Sequence, residues 1–258
     1  MKLYLKYFSM QLKSILEYRK AFLISFISQI ATSICSFVSI IFLFQKFGDV
    51  EGYTFDDVII CFSVCFLGYA IAECFFRAFD QFDRIIGNGE FDRILVRPRN
   101  IILQILGTKI EFAKFGRAGA ALTVFIILLI RRPELLTFDK IITLFLMVIG
   151  TIIIYASLFI LRAGITFFTT QSLEIMNIFT DGTRELAQYP LSIYQKWVVK
   201  FFTYILPLAL VNYYPLLYVI GKSDNKLYMF LPILTILFVF PCYLVWKMGV
   251  RKYKGTGS

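Results

Sequence analysis

Chemistry in this chain has to come from a short set of residues, because the sequence contains no His. That removes the commonest general base, metal ligand and near-neutral pH switch. It also removes any Ser-His-Asp or Cys-His nucleophile arrangement. Five cysteines remain, Cys35, Cys61, Cys65, Cys74 and Cys242, each in or beside an apolar run. Cys61 and Cys65 share a helix face at their spacing, which suits a metal or redox pair. Thiols in such runs commonly pack as small hydrophobes, and packing is the expected role. Gly221-Lys222-Ser223 resembles the end of a phosphate-binding loop, but that loop needs another Gly where this chain has Leu216, and it needs a strand before it and a helix after it. Glu73 and Arg77, four apart, read as an ion pair on one helix. No catalytic residue, no metal site and no cofactor of the chain's own is expected.

The elements that position these residues follow from composition. The chain has 258 residues, 59% of them hydrophobic and only 17% charged, against about 45–50% and about 25% in ordinary globular domains. Its mean hydropathy is +0.73. The excess lies in long runs, and runs of about 18 or more apolar residues read as membrane spans. The fold class is therefore all-α: a polytopic membrane helical bundle, one transmembrane domain over residues 1–258. The net charge of +10 would suggest nucleic acid in a soluble protein. Here it suits flanks held near anionic lipid, and no nucleic-acid partner is expected.

Residues 1–20 are amphipathic, with Leu5, Phe8, Leu12, Ile15 and Leu16 at helical spacing and a basic opposite face. Such a helix lies in the membrane interface. Its charged lead and the length of the apolar run after it do not fit a cleavable signal, so that run reads as an uncleaved first span. Spans are expected at about Ala21–Phe44, Val58–Phe76, Ile101–Ile130, Ile141–Leu161 and Leu227–Trp246. Between the last two, Gly164–Leu186 carries Glu174 and Asp181, while residues 201–220 are apolar but hold Pro207, Asn212 and Pro215. Proline breaks helix hydrogen bonding, and broken backbone at membrane depth survives only in protein or beside a cavity. Either segment reads as the fifth span, the other being a surface helix or a re-entrant hairpin over about 199–220. Both readings give six spans or their equivalent. Lys and Arg cluster in residues 1–20, 77–100 and 247–258, which puts both termini and the 77–100 loop in the cytoplasm. Arg131 and Arg132 fit less well on the outside.

The polar residues Glu73, Glu174, Asn177 and Asn212 lie in or beside apolar runs and are candidates for lining a translocation path. The densest charge lies in "FRAFDQFDRIIGNGEFDRILVRPRN". Phe79, Phe82, Ile85 and Ile86 form one apolar stripe, flanked by Asp83 and Arg84. Gly87-Asn88-Gly89 permits a tight turn. Glu90, Phe91, Asp92 and Arg93 then open a second short helix whose apolar face continues through Ile94 and Leu95. The expected arrangement is a helix, a turn and a second helix, with the apolar stripe docked in a partner's groove.

On "GEFDRILVRPRN", on "ELAQYPLSIYQKW" with "LPLALVNYYPLLYVIGK", and on the tail "GVRKYKGTGS", the chain resembles the membrane subunits of type-two ABC exporters, and within them a bacterial permease group. The resemblance covers nearly the whole chain. It implies two six-span permeases, the second a related but different chain, over a separate pair of ATPase subunits that hold ATP and Mg. It implies a bacterial cytoplasmic-membrane location. It implies that Phe79–Leu95 is the coupling helix seated in the ATPase, that Gly164–Leu186 is span five, and that Val199–Ile220 is a re-entrant pair near the outer face. The function implied is ATP-driven export of a lipid, hydrophobic drug or amphipathic peptide. On this reading Phe82, Ile85 and Phe91 replaced by Asp would abolish ATPase copurification. The competing readings are an autonomous transporter or channel relaying protons through Glu73, Glu174 and Asp181, a lipid enzyme, and a membrane anchor.

Overall fold

The computed structural model describes residues 2–169 and 173–255. Apart from one bridge between Val50 and Tyr53, every regular element among them is helical. The amphipathic lead is α1 (Lys2–Glu17). It bends at Tyr18 into the long α2 (Arg19–Phe47). The acidic loop after it ends in a capping box: the Asp57 amide donates to Thr54 Oγ1 at 3.4 Å and the Thr54 amide to Asp57 Oδ2 at 3.1 Å. This satisfies amides that a helix start leaves unpaired and opens α3 (Phe55–Asp80), the most enclosed helix.

Helices α4 (Phe82–Gly87) and α5 (Glu90–Val96) form the expected helix–turn–helix. The turn pivots on Gly89, whose φ of +67° suits a residue without Cβ. After Pro98, Asn100 caps α6 (Ile101–Thr108). Then come α7 (Phe115–Arg131) and α8 (Phe138–Thr166). The ambiguous segment holds α9 (Leu173–Asn177), a π turn (Ile178–Gly182) and α10 (Thr183–Leu186); its residues 170–172 lie outside the described residues. The Pro-containing stretch forms α11 (Lys196–Tyr204), α12 (Ala209–Asn212) and α13 (Tyr214–Val219). A 3-10 run (Lys226–Thr235) leads into α14 (Ile236–Lys252).

Five helices among the described residues are long and apolar enough to cross a membrane: Arg19–Phe47, Phe55–Gly87, Phe112–Arg131, Phe138–Thr166 and Lys226–Lys252. The pair Lys196–Tyr204 and Ala209–Val219, bent by 101°, would make six. Two expected boundaries are corrected. The third span is not continuous from Ile101. It breaks between α6 and α7, where the Glu111 amide donates to the Cys74 carbonyl at 3.0 Å. The fourth span runs on through Thr166, so Gly164 belongs to α8 rather than to the segment after it.

Side-chain register decides which ambiguous segment passes through the bundle. Asn177 Oδ1 accepts from Arg162, which also donates to Asp80. Asp181 accepts from Tyr69 Oη at 2.9 Å. The Arg184 carbonyl faces Cys65 Sγ. The Ala187 carbonyl accepts from Asn212 Nδ2, and the Asn212 carbonyl faces Cys61 Sγ. Ser192 donates to Tyr53 Oη at 2.8 Å. As the chain advances from 177 to 192, its partners retreat from 80 to 53. The segment therefore runs antiparallel to α3 from one end of the bundle to the other. The bent pair follows Ser192, which meets Tyr53, and is followed by Lys222, whose Nζ donates to the Gly52 carbonyl at 2.7 Å. Both of its ends thus lie toward one end of the bundle, as in a re-entrant hairpin.

Helix α14 lies on α8 across two glycines. A Cβ on Gly164 would sit 2.8 Å from the Trp246 amide nitrogen, and one on Gly249 would sit 2.8 Å from the Gly164 carbonyl. Small residues at such crossings let helix backbones approach. Gly164→Ala is expected to cost about 1–3 kcal/mol through overpacking, read as a lowered unfolding midpoint in detergent, whereas Gly119→Ala, whose Cβ meets nothing within 4 Å, should leave it unchanged.

Candidate functional site

Three groups of residues lie along the path between the two ends. The first is the helix–turn–helix at the end that carries α1. Phe79, Phe82, Ile85, Phe91 and Ile94 are all buried within the chain. The Phe82 ring meets Phe91 at 5.3 Å, Phe167 at 5.2 Å and Trp246 at 5.0 Å, and Phe91 meets Tyr253 at 4.9 Å. The expected docking of this stripe in a partner's groove is corrected: α8, the residue after it, α14 and the tail already cover it. What faces outward is different. Arg84 and Arg93 are exposed, Asp83, Glu90 and Asp92 are half-buried, and Val96 is 85% and Leu95 40% exposed.

The second group is a charge network around Glu73, which is 4% exposed. Its carboxylate receives Arg77 at 3.2 Å, Lys114 at 2.9 Å and Arg117 at 2.7 Å. Arg77 continues to Asp80 at 2.5 Å, and Asp80 to Arg162 at 3.0 Å. The break between α6 and α7 delivers these cations. The turn between α6 and α7 lays Glu111 beside Arg77 and Lys114 beside Glu73. Lys109 and Glu111 pair at 3.0 Å. Burial opposes the charged Glu111 carboxylate, but the hydrogen bond and charge of Lys109, with Arg77 and Lys114, outweigh it and hold its pKa below the ordinary value.

The third group is the segment running beside α3. Glu174, Asn177, Ile178, Asp181 and Glu185 are exposed and fall on one helix face. The side chains of Asp181 and Glu185 are 56% and 55% exposed, although Arg184 reaches both. The guanidinium of Arg184 lies 5.1 Å from the centre of the Tyr69 ring. The π turn falls in the middle of this face, and such turns frequently mark functional positions. Asn212 is fully buried on the re-entrant hairpin.

Of the expected path residues, Glu73 and Asn212 are thus interior tethers, and Glu174 and Asn177 lie on the open polar face. Cys61 and Cys65 are buried, unpaired with one another, and set against backbone carbonyls. Sequence reasoning missed Lys114 and Arg117 as partners of Glu73, and Trp246 as the lid of the Phe stripe. Both cations were visible as charges in an apolar run, but nothing local pairs position 73 with position 117.

This combination of a broken third span, a re-entrant hairpin and a helix–turn–helix at one end accompanies a family match. The model of the ABC-2 family transporter protein matches residues 30–257. The chain belongs to the ABC-2 transporter family. It is accordingly a permease, a multi-pass membrane component of an ABC transporter. No curated protein and no solved structure matches it. At the Tyr53 end Arg132 pairs with Asp57 at 2.9 Å and with Glu134 at 2.5 Å.

Proposed function

We propose that this permease exports a hydrophobic or amphipathic substrate, a lipid, drug or peptide, paired with a second, related permease and driven by a separate ATPase dimer that holds ATP and Mg. The observation that carries the reading is the exposed face of Glu174, Asn177, Asp181 and Glu185 on a segment running the length of the bundle. Carboxylates at membrane depth face protein or water rather than lipid, so this face calls for an opposing subunit with a path between the two. The end with α1, α4 and α5 is cytoplasmic in this proposal, as are both termini, in a bacterial cytoplasmic membrane; the clusters of Lys and Arg there support it.

Coupling is assigned to the outward side of α4 and α5, namely Arg84, Arg93, Leu95 and Val96 with Asp83, Glu90 and Asp92 at its margin. Force applied there reaches α8 and α14 directly through the Phe82–Phe91–Trp246 packing. The buried rings act as a rigid mount, and the charged rim as the contact. The test is isolation from native membranes in mild detergent. A P-loop ATPase and a second permease should accompany the chain, and Arg84→Glu with Arg93→Glu should lower ATPase recovery about tenfold or more while leaving the unfolding midpoint in place. A chain that arrives alone, with other complexes intact, defeats the proposal and makes Glu174 the first residue to test in an autonomous transporter.

A further inference from the structure

A cleft of about 580 Å3 opens between α1, α2 and the break before α7, within the range of ligand sites, roughly 300–1,000 Å3. One wall is cationic: Arg77, Lys109 and Lys114, with Glu111 among them. The facing wall is polar, Gln11 and Ser14 from α1 and Ser25 and Gln29 from α2. Ile15, Tyr18 and Phe22 form its apolar side. It sits where the amphipathic helix bends into the first span, the depth at which lipid headgroups lie.

Its charges do not balance. The connected network holds five cations, Arg77, Lys109, Lys114, Arg117 and Arg162, against three carboxylates, Glu73, Asp80 and Glu111. Two positive charges are left over. All three carboxylates already sit on cations, so the surplus calls for an anion from elsewhere. Two buried polar atoms on the cleft are also without hydrogen-bond partners among the described residues, Arg77 Nε and Gln29 Oε1. Arg77 Nε is 3.8 Å from Glu111 Oε2, too far for a hydrogen bond, and a phosphate oxygen would satisfy it. The Gln29 amide, turned over, offers its NH2 to the same anion.

We infer that this cleft binds a phosphate-bearing anion presented by a membrane lipid, the headgroup against Arg77, Lys109 and Lys114 and the acyl chains along Tyr18 and Phe22. The site requires only that the chain be in a membrane, and it does not depend on the transport reading.

Native mass spectrometry tests it on the purified protein with whatever partners it retains, in detergent supplemented with phosphatidylglycerol or with phosphatidylcholine. Phosphatidylglycerol should be retained about fivefold or more over phosphatidylcholine, and Lys109→Gln and Ser25→Trp should each remove most of that preference. Lys109 is 40% exposed and Ser25 is exposed, so both variants are expected to fold. One removes charge and the other fills space. Equal retention of the two lipids, or a preference unchanged in both variants, overturns the inference. Displacement of phosphatidylglycerol by millimolar inorganic phosphate, with phosphate adducts on lipid-free protein, overturns the lipid as source and leaves a soluble anion.

Discussion

Phe91→Ala lowers the unfolding free energy of the detergent-solubilised chain by about 3–5 kcal/mol, whereas Arg93→Ala, two residues on, changes it by less than about 0.5 kcal/mol. The difference follows from which way each side chain points. Phe91 is fully buried, with Phe82, Phe167 and Tyr253 edge-on or tilted around it at 4.9–5.3 Å. Edge-to-face aromatic pairs add about 0.5–1.5 kcal/mol each beyond their area, and the short helices α4 and α5 have too few backbone hydrogen bonds to hold themselves without that packing. Asp at Phe82, Ile85 or Phe91 is harsher still, since it buries a charge without a partner. Loss of an ATPase in such variants would therefore report unfolding, not lost contact. Thermal unfolding followed by tryptophan fluorescence separates the two, because Trp246 sits in the cluster. If Phe91→Ala keeps its unfolding midpoint yet sheds a partner, the ring is a docking group after all and the inward packing is not the state that matters.

The second large effect is at Glu73. Glu73→Gln removes the one carboxylate that Lys114 and Arg117 share, and takes from Arg77 one of its partners. Removing one side of a buried ion pair typically costs about 3–5 kcal/mol, because the opposite charge is left desolvated. The stability cost should be matched by partial recovery in Glu73→Gln with Lys114→Met, which removes a cation along with its anion. Unfolding midpoints of the two single variants and the double variant close that cycle. A Glu73→Gln chain of unchanged stability that nonetheless fails to transport would make Glu73 a working group on the path rather than a tether.

Both effects bear on how the elbow is joined to the polar face. The Phe82–Trp246 cluster joins the α4–α5 elbow to α8 and α14. The Glu73–Arg77–Asp80–Arg162 chain joins the same end of α3 to α7 and α8. Arg162 then meets Asn177, at the foot of the polar face. A displacement of the elbow is thus tied by packing and by charge to the segment that carries Glu174, Asp181 and Glu185.

Local pattern alone determined much of this. The apolar runs made the chain a helical membrane bundle, the spacing in residues 1–20 made an amphipathic helix, Gly89 made a turn, and the Pro-containing stretch broke where it was expected to. Each depends on neighbours within a few turns. Tertiary structure decided the rest. Helical period puts Phe79 and Phe82 on one apolar stripe and Phe91 on a second, but does not show what covers either, and Trp246 lies more than a hundred and fifty positions away. Hydropathy averages round a helix, so a crossing segment with one polar face and a π turn reads as a surface helix until Asp181 is seen beside Tyr69 and Ser192 beside Tyr53. Glu73 looked like half of a helix-end pair because only Arg77 was near in sequence. Lys114 and Arg117 reach it from around the start of α7, far away in sequence, and a buried carboxylate collects whichever cations the fold brings within 3 Å.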